Sequence, residues 1–136
     1  DIMDLPKEVR ERLEQMVEAP FAKLCGMELV SMGPRTARVR LPLEGRENAL
    51  GAIHGGALFA LADQAFALAA NQGENIYVAM NASIHYIRPA TGTVEAESRL
   101  IGQSGRTALF EVKIFQEDEL VAIFQGTGYR LPKKLI

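Results

Sequence analysis

Residues 57–71 read ALFALADQAFALAAN. An almost wholly apolar run of this length, rich in Ala, Leu and Phe, reads as a helix, since strands seldom exceed ~10 residues. It is apolar nearly all round, so it must be covered on nearly every side. Asp63 is the exception, the only charged residue between Glu47 and Glu74. A lone carboxylate in a buried helix is costly unless it is paired, neutralised or used.

The helix is predicted over 56–72. It opens on His54-Gly55-Gly56 and ends near Asn71-Gln72-Gly73. A loop over 43–53, carrying Asn48 and Gly51, leads into it. Before the loop, residues 27–42 read as two short strands around Gly33-Pro34. In the second of these, Ala37, Val39 and Leu41 alternate with Arg38 and Arg40, so one face is wet. A first helix opens near Asp4-Leu5-Pro6, with Asp4 as a possible cap. Its apolar stripe is Val9, Leu13, Met16 and Val17, and Pro20 ends it.

Four strands follow the apolar helix: Tyr77 to Arg88, Thr93 to Ile101, Thr107 to Gln116 and Leu120 to Arg130. Glu117-Asp118-Glu119 forms an acidic hairpin turn before the last. The strands are consecutive and joined by short turns, so most should pair antiparallel. About six strands and one all-round apolar helix predict an α+β chain with the hot dog architecture. In it, a curved antiparallel sheet wraps a central helix, and an N-terminal amphipathic helix packs outside. One flank of that sheet stays open, which favours a dimer.

Composition narrows the function. The 136 residues are expected to form one domain over 1–136, and 48% are hydrophobic, as in globular chains. A net charge of −2 argues against nucleic acid as a partner. Asp63 interrupts the longest apolar run, so no membrane span of ~18 residues is expected. The polar N-terminus is not expected to act as a signal peptide, and Cys25 is alone, so a reducing cytoplasm is the expected location. Cys25 itself reads as a small buried hydrophobe. Metal-ligand spacing, a Walker loop, a dinucleotide fingerprint and a Gly-x-Ser-x-Gly elbow are all missing, and no cofactor is expected.

Two features carry chemistry. His54-Gly55-Gly56 offers helix N-terminal N–H groups that a ligand can approach closely, an oxyanion-type donor site. Asp63 has Phe59, Ala60, Phe66 and Ala67 as its helical neighbours, none of them a cation. Burial would raise its pKa and make it a better base at neutral pH. Eight residues of helix separate it from Gly55, which is ~12 Å. A carbonyl held at Gly55 is therefore out of attack range (~3–3.5 Å) of Asp63 in the same chain. If both act on one bond, they belong to two copies, and the catalytic unit is a homodimer with two equivalent sites.

The stretch Asn48-ALGAI-His54-Gly55-Gly56-ALFALA-Asp63 resembles the PaaI-type (phenylacetate-degradation) acyl-CoA thioesterases of the hot dog superfamily. So do Tyr86-Ile87-Arg88-Pro89 and the hairpin start Gly105-Arg106-Thr107. The resemblance runs from about Gly26 to Tyr129. It implies that Asp63 attacks the thioester or activates water, and that the Gly55 N–H polarises the carbonyl. It also implies that Asn48 and His54 position the thioester or its loop, with coenzyme A entering as part of the substrate. Some relatives carry a Ser or Thr on the strand after the helix to hold water. The matching position here is Ala79, with Asn81 and Ser83 expected on the same strand face as substitutes.

Gly56 completes the expected binding set. Arg88 and Arg106 are the candidates for CoA phosphates. His85 reads as a surface or interface residue, and Lys133-Lys134 as a solvated tail. A dimer of dimers is the expected assembly. Two other readings stay open, a hydratase or dehydratase on the same fold using His54 with Asp63, and a non-catalytic acyl-CoA-binding module.

Overall fold

The protein was analysed as a computed structural model that describes residues 2–132; Lys133-Lys134 lies outside them. A 3-10 turn (Ile2–Asp4) leads into α1 (Lys7–Val17) and α2 (Pro20–Cys25). The hairpin β1 (Glu28–Gly33) and β2 (Thr36–Leu41) follows, then α3 (Gly55–Ala70). The chain closes with β3 (Tyr77–Tyr86), β4 (Val94–Ser104), β5 (Thr107–Gln116) and β6 (Glu119–Arg130). No helix among the described residues is long and apolar enough to cross a membrane.

All six strands form one antiparallel sheet in the order β1-β2-β4-β5-β6-β3. The sheet curves around α3, which packs on every strand from β2 to β6. This is the expected hot dog architecture. Alternation puts Val39, Leu41, Val94, Ala96, Phe110, Val112, Ile114 and Phe124 on the inner face, all essentially buried. The outer face carries a ladder in which Arg38 meets Glu95 and Glu97, Arg40 meets Glu95, and Arg99 meets Glu111. That is the wet face expected of β2.

Gly126 and Gly128 sit where α3 comes closest. A Cβ on Gly126 would stand 3.0 Å from the Phe66 and Phe124 rings, so the bare backbone makes room for Phe66. Phe66 in turn packs against Phe110 and Phe124 at ring distances of 5.5 and 6.1 Å.

The strands pair antiparallel as expected, and four points add to or correct the sequence reading. Strand β3 does not neighbour β4: the 87–93 link returns it to the far side of β6, where it forms a sheet edge. Pro20 does not merely stop the first helix; it occupies the first turn of α2, where a missing N–H is harmless. Asp4 is not the cap of α1, whose N-cap is Pro6 with no side-chain bond. Cys25 is half-buried rather than buried.

The covering of α3 is uneven. Leu58, Leu61, Ala62, Ala65, Phe66, Leu68, Ala69 and Ala70 are buried. The Gln64 amide donates to the Met16 carbonyl of α1 at 2.9 Å, and Arg12 of α1 donates to the Asn71 and Gly73 carbonyls at 3.1 and 2.8 Å. A cation there suits the negative end of a helix. One stripe, Gly56, Ala60, Asp63 and Ala67, stays partly open.

Candidate active site

The loop before α3 is built by Asn48. Its side-chain Oδ1 accepts the N–H groups of Leu50 and Ala52 at 2.9 and 3.1 Å, while its own N–H donates to the Ala52 carbonyl at 2.7 Å. This is the local closure that Asn offers in turns. Gly51 takes φ 84, which L side chains rarely adopt. Ile53 N–H then donates to the Ala90 carbonyl and His54 N–H to the Arg46 carbonyl, at 2.9 and 2.8 Å. The loop therefore delivers the start of α3 to a defined place against the 87–90 segment.

At the first turn of α3 the donors are unequal. Gly56 N–H donates to His54 Nδ1 at 2.9 Å, so His54 caps the helix. Ala57 and Leu58 N–H groups both reach the His54 carbonyl, at 2.9 and 3.1 Å. Among the described residues nothing accepts the Gly55 N–H. The first turn of a helix leaves such donors at its positive end, suited to developing negative charge. Because Nδ1 accepts, the neutral His54 ring carries its proton on Nε2.

Gly55 lines a cleft of about 460 Å³ with Asn48, Leu58, Tyr86, Ile87 and Arg88. His54 and Gly56 line a neighbouring cleft of about 500 Å³ against Phe21, Leu24 and Ala60. The two clefts flank the start of α3.

Asp63 lies two turns further along, half-buried on the open stripe. No hydrogen bond or ion pair reaches its carboxylate among the described residues, and burial raises its pKa above the ordinary aspartate value. It lines neither cleft. The structure thus brings Asn48, His54, Gly55, Gly56 and Arg88 together and leaves Asp63 apart, as the helix rise requires.

The strand candidates are rearranged. A bulge between Ala79 and Asn81 shifts the register, so Ala79 pairs with Gly128 while Asn81 and Ser83 pair with Thr127 and Gln125. Cross-strand partners share a face. Ala79 therefore faces α3 with Gly128, whereas Asn81 and Ser83 face outward. The expectation that they share the face of Ala79 is wrong, because one extra residue in a strand inverts all that follows.

Arg88 lines the Gly55 cleft but is engaged. It donates to the Leu120 carbonyl at 3.1 Å and pairs with Glu119 at 2.5 Å. Arg106 sits in the β4–β5 hairpin beside Thr107, which pairs through Tyr129 to Val78. Gly55 lies instead beside Tyr86, eight strand residues away, so the two are separated by about 25 Å.

Tyr86 was not among the site residues read from the sequence. Its hydroxyl donates to the Gly55 carbonyl at 2.9 Å. The signal was an aromatic just before Arg88-Pro89, which strand alternation alone presents as another wall residue.

Comparison with known proteins follows the same lines. Residues 50–123 match the model of the thioesterase superfamily. The chain is 33% identical over 114 residues to the acyl-coenzyme A thioesterase PaaI of Escherichia coli, covering 81% of each chain. It superposes on the E. coli PaaI protein from the phenylacetic acid degradation operon with a TM-score of 0.85 at 30% identity, covering 95% of this chain and 97% of the other. A conserved protein of Pseudomonas aeruginosa superposes with a TM-score of 0.81 at 36% identity, covering 87% and 98%.

Proposed function

Since the chain belongs to the thioesterase superfamily and is a thioester hydrolase, we propose that it cleaves acyl-CoA to free acid and CoA at a site shared by two chains. The Gly55 N–H polarises the thioester carbonyl and stabilises the oxyanion that forms. Asp63 of the other chain attacks the carbonyl carbon or takes a proton from the attacking water. The CoA thiolate leaves and takes up a proton; in the first route water then hydrolyses the acyl–Asp63 anhydride, which releases the acid and restores the carboxylate. Asn48 shapes the loop that presents Gly55, and His54 caps the turn.

One observation carries this reading. The donor of the first turn and the carboxylate of the same helix are ~12 Å apart, and neither has a partner among the described residues. The half-open stripe Gly56-Ala60-Asp63-Ala67 and the edge strand β3, with Val78 and Met80 exposed, support a two-fold partner. A dimer of dimers remains the proposed assembly. Arg106 meets only the distant end of a long substrate held at its own chain's Gly55.

The hydratase reading loses its base: the one acceptor nitrogen of neutral His54 is taken by Gly56 N–H. The test is a panel of aryl and fatty acyl-CoA substrates read by thiol release, with Asp63→Ala and Asp63→Asn alongside. Turnover should fall by ~10²- to 10⁴-fold with fold and assembly intact. Full turnover in both variants would sink the assignment, and thiol-free hydration of crotonyl-CoA would favour the hydratase. Acyl-CoA binding without thiol release from any substrate would favour a binding module.

A further inference from the structure

The Gly55–Gly56 peptide opens α3, and neither of its residues carries a Cβ to limit the backbone. Both of its polar ends are nevertheless held by side chains. The Tyr86 hydroxyl donates to its carbonyl at 2.9 Å, and its N–H donates to His54 Nδ1, also at 2.9 Å. The two side chains arrive from different elements, His54 from the residue before α3 and Tyr86 from the last residue of β3. The Tyr86 ring packs on the same spot, since a Cβ on Gly55 would stand 3.2 Å from it.

Tyr86 is 53% exposed, so water could satisfy its hydroxyl without this contact. The bond instead adds to the helix's own bonds at a glycine pair in its terminal turn, where helices fray. From this geometry we infer that Tyr86 is a positioning residue: together with His54 it clamps the Gly55–Gly56 peptide and so fixes the direction of the adjoining Gly55 N–H. The inference rests on the thioesterase reading above. The single O–H of Tyr86 is spent on the Gly55 carbonyl, so Tyr86 has no proton left to donate to a substrate. Its contribution is to keep a donor aimed before the substrate arrives, which is where preorganisation acts on rate.

The experiment compares wild type, Tyr86→Phe, His54→Ala and the double variant in steady-state thiol release. Hydrogen exchange at the Gly56 amide is measured on the same proteins. Tyr86→Phe keeps the ring and removes only the hydroxyl. It should lower kcat about five- to tenfold with KM within about twofold, and speed Gly56 exchange, at unchanged Tm. The double variant should lose less than the product of the single losses, because both side chains hold one peptide. Unchanged kcat, a change confined to KM, multiplying losses, or unchanged Gly56 exchange in Tyr86→Phe each overturn the clamp. Asp63→Asn separates the failures. If it abolishes turnover while Tyr86→Phe does not lower it, only the clamp is wrong. If it retains full turnover, the proposed chemistry is wrong.

Discussion

Gly55 and Asp63 stand on one unbroken helix, eight residues and ~12 Å apart, and among the described residues neither the Gly55 N–H nor the Asp63 carboxylate has a partner. A rigid helix does not shorten, so the separation is a property of the fold. If the two groups act on one bond, they do so from different chains, and that consequence is directly measurable.

Mixing two inactive variants tests the shared site. Asp63→Asn keeps a good Gly55, and a Gly55 donor variant keeps a good Asp63. Each mixed dimer then rebuilds one intact site and one doubly defective site. Co-refolding equal amounts should recover about a quarter of wild-type turnover, because half the dimers are mixed and each has one working site. Activity no higher than the two parents would place both groups in separate roles.

Gly55→Pro gives a clean deletion of the donor. Position 55 begins the helix, where Pro is tolerated, and His54 has ψ 136, compatible with a following Pro. The lost N–H has no acceptor among the described residues, so Tm should change little, with a modest cost from the Tyr86 ring contact. The kcat should fall about 10²- to 10³-fold. Gly55→Ala is the control, since it keeps the N–H and adds only the crowding; equal losses in the two variants would assign the effect to sterics.

The Asp63 carboxyl is raised by burial, and the sign of its effects follows. If Asp63 is the nucleophile or base, its ionised form is the working one, and kcat/KM should rise with pH through a titration above the ordinary aspartate value. Stability runs the other way. A raised acid contributes fully below its unfolded pKa, and that contribution is lost as pH rises through the folded pKa. Asp63→Asn should therefore melt higher than wild type near neutrality, with the difference closing toward about pH 4. Melting curves across this range check it; a lower Tm for Asp63→Asn at neutral pH would mean that a partner stabilises the carboxylate.

Gly126→Ala probes the packing under α3. Its Cβ would stand 3.0 Å from the rings of Phe66 and Phe124, both almost fully buried. Neither ring has space to retreat, so the expected loss is about 1–3 kcal/mol in denaturant unfolding. A neutral result would show that the sheet yields there.

Much of this was legible in the chain. The apolar run around Asp63 announced a helix that needed covering, and the alternation of Ala108, Phe110, Val112 and Ile114 against polar neighbours announced the sheet. Asn48, His54 and Gly55 were marked by residue types that close turns and free donors. The misreadings share a cause. Whether Asn81 and Ser83 follow Ala79 depends on a bulge, which strand alternation does not reveal. Whether β3 lies beside β4 or β6 depends on which edge is free, a matter of long-range pairing.

The sequence by itself determined most of the elements, the lone acid and the distance from that acid to its helix start, because helix rise and hydrophobic period are local properties; the short α2 went unread. Tertiary structure alone decided which donors remain free and which side chains hold them. Tyr86 reaches Gly55 from 31 residues away. His54 spends its acceptor on Gly56 rather than on a substrate proton. Such contacts depend on how the sheet curls back over the helix, and no pattern within a few residues records that.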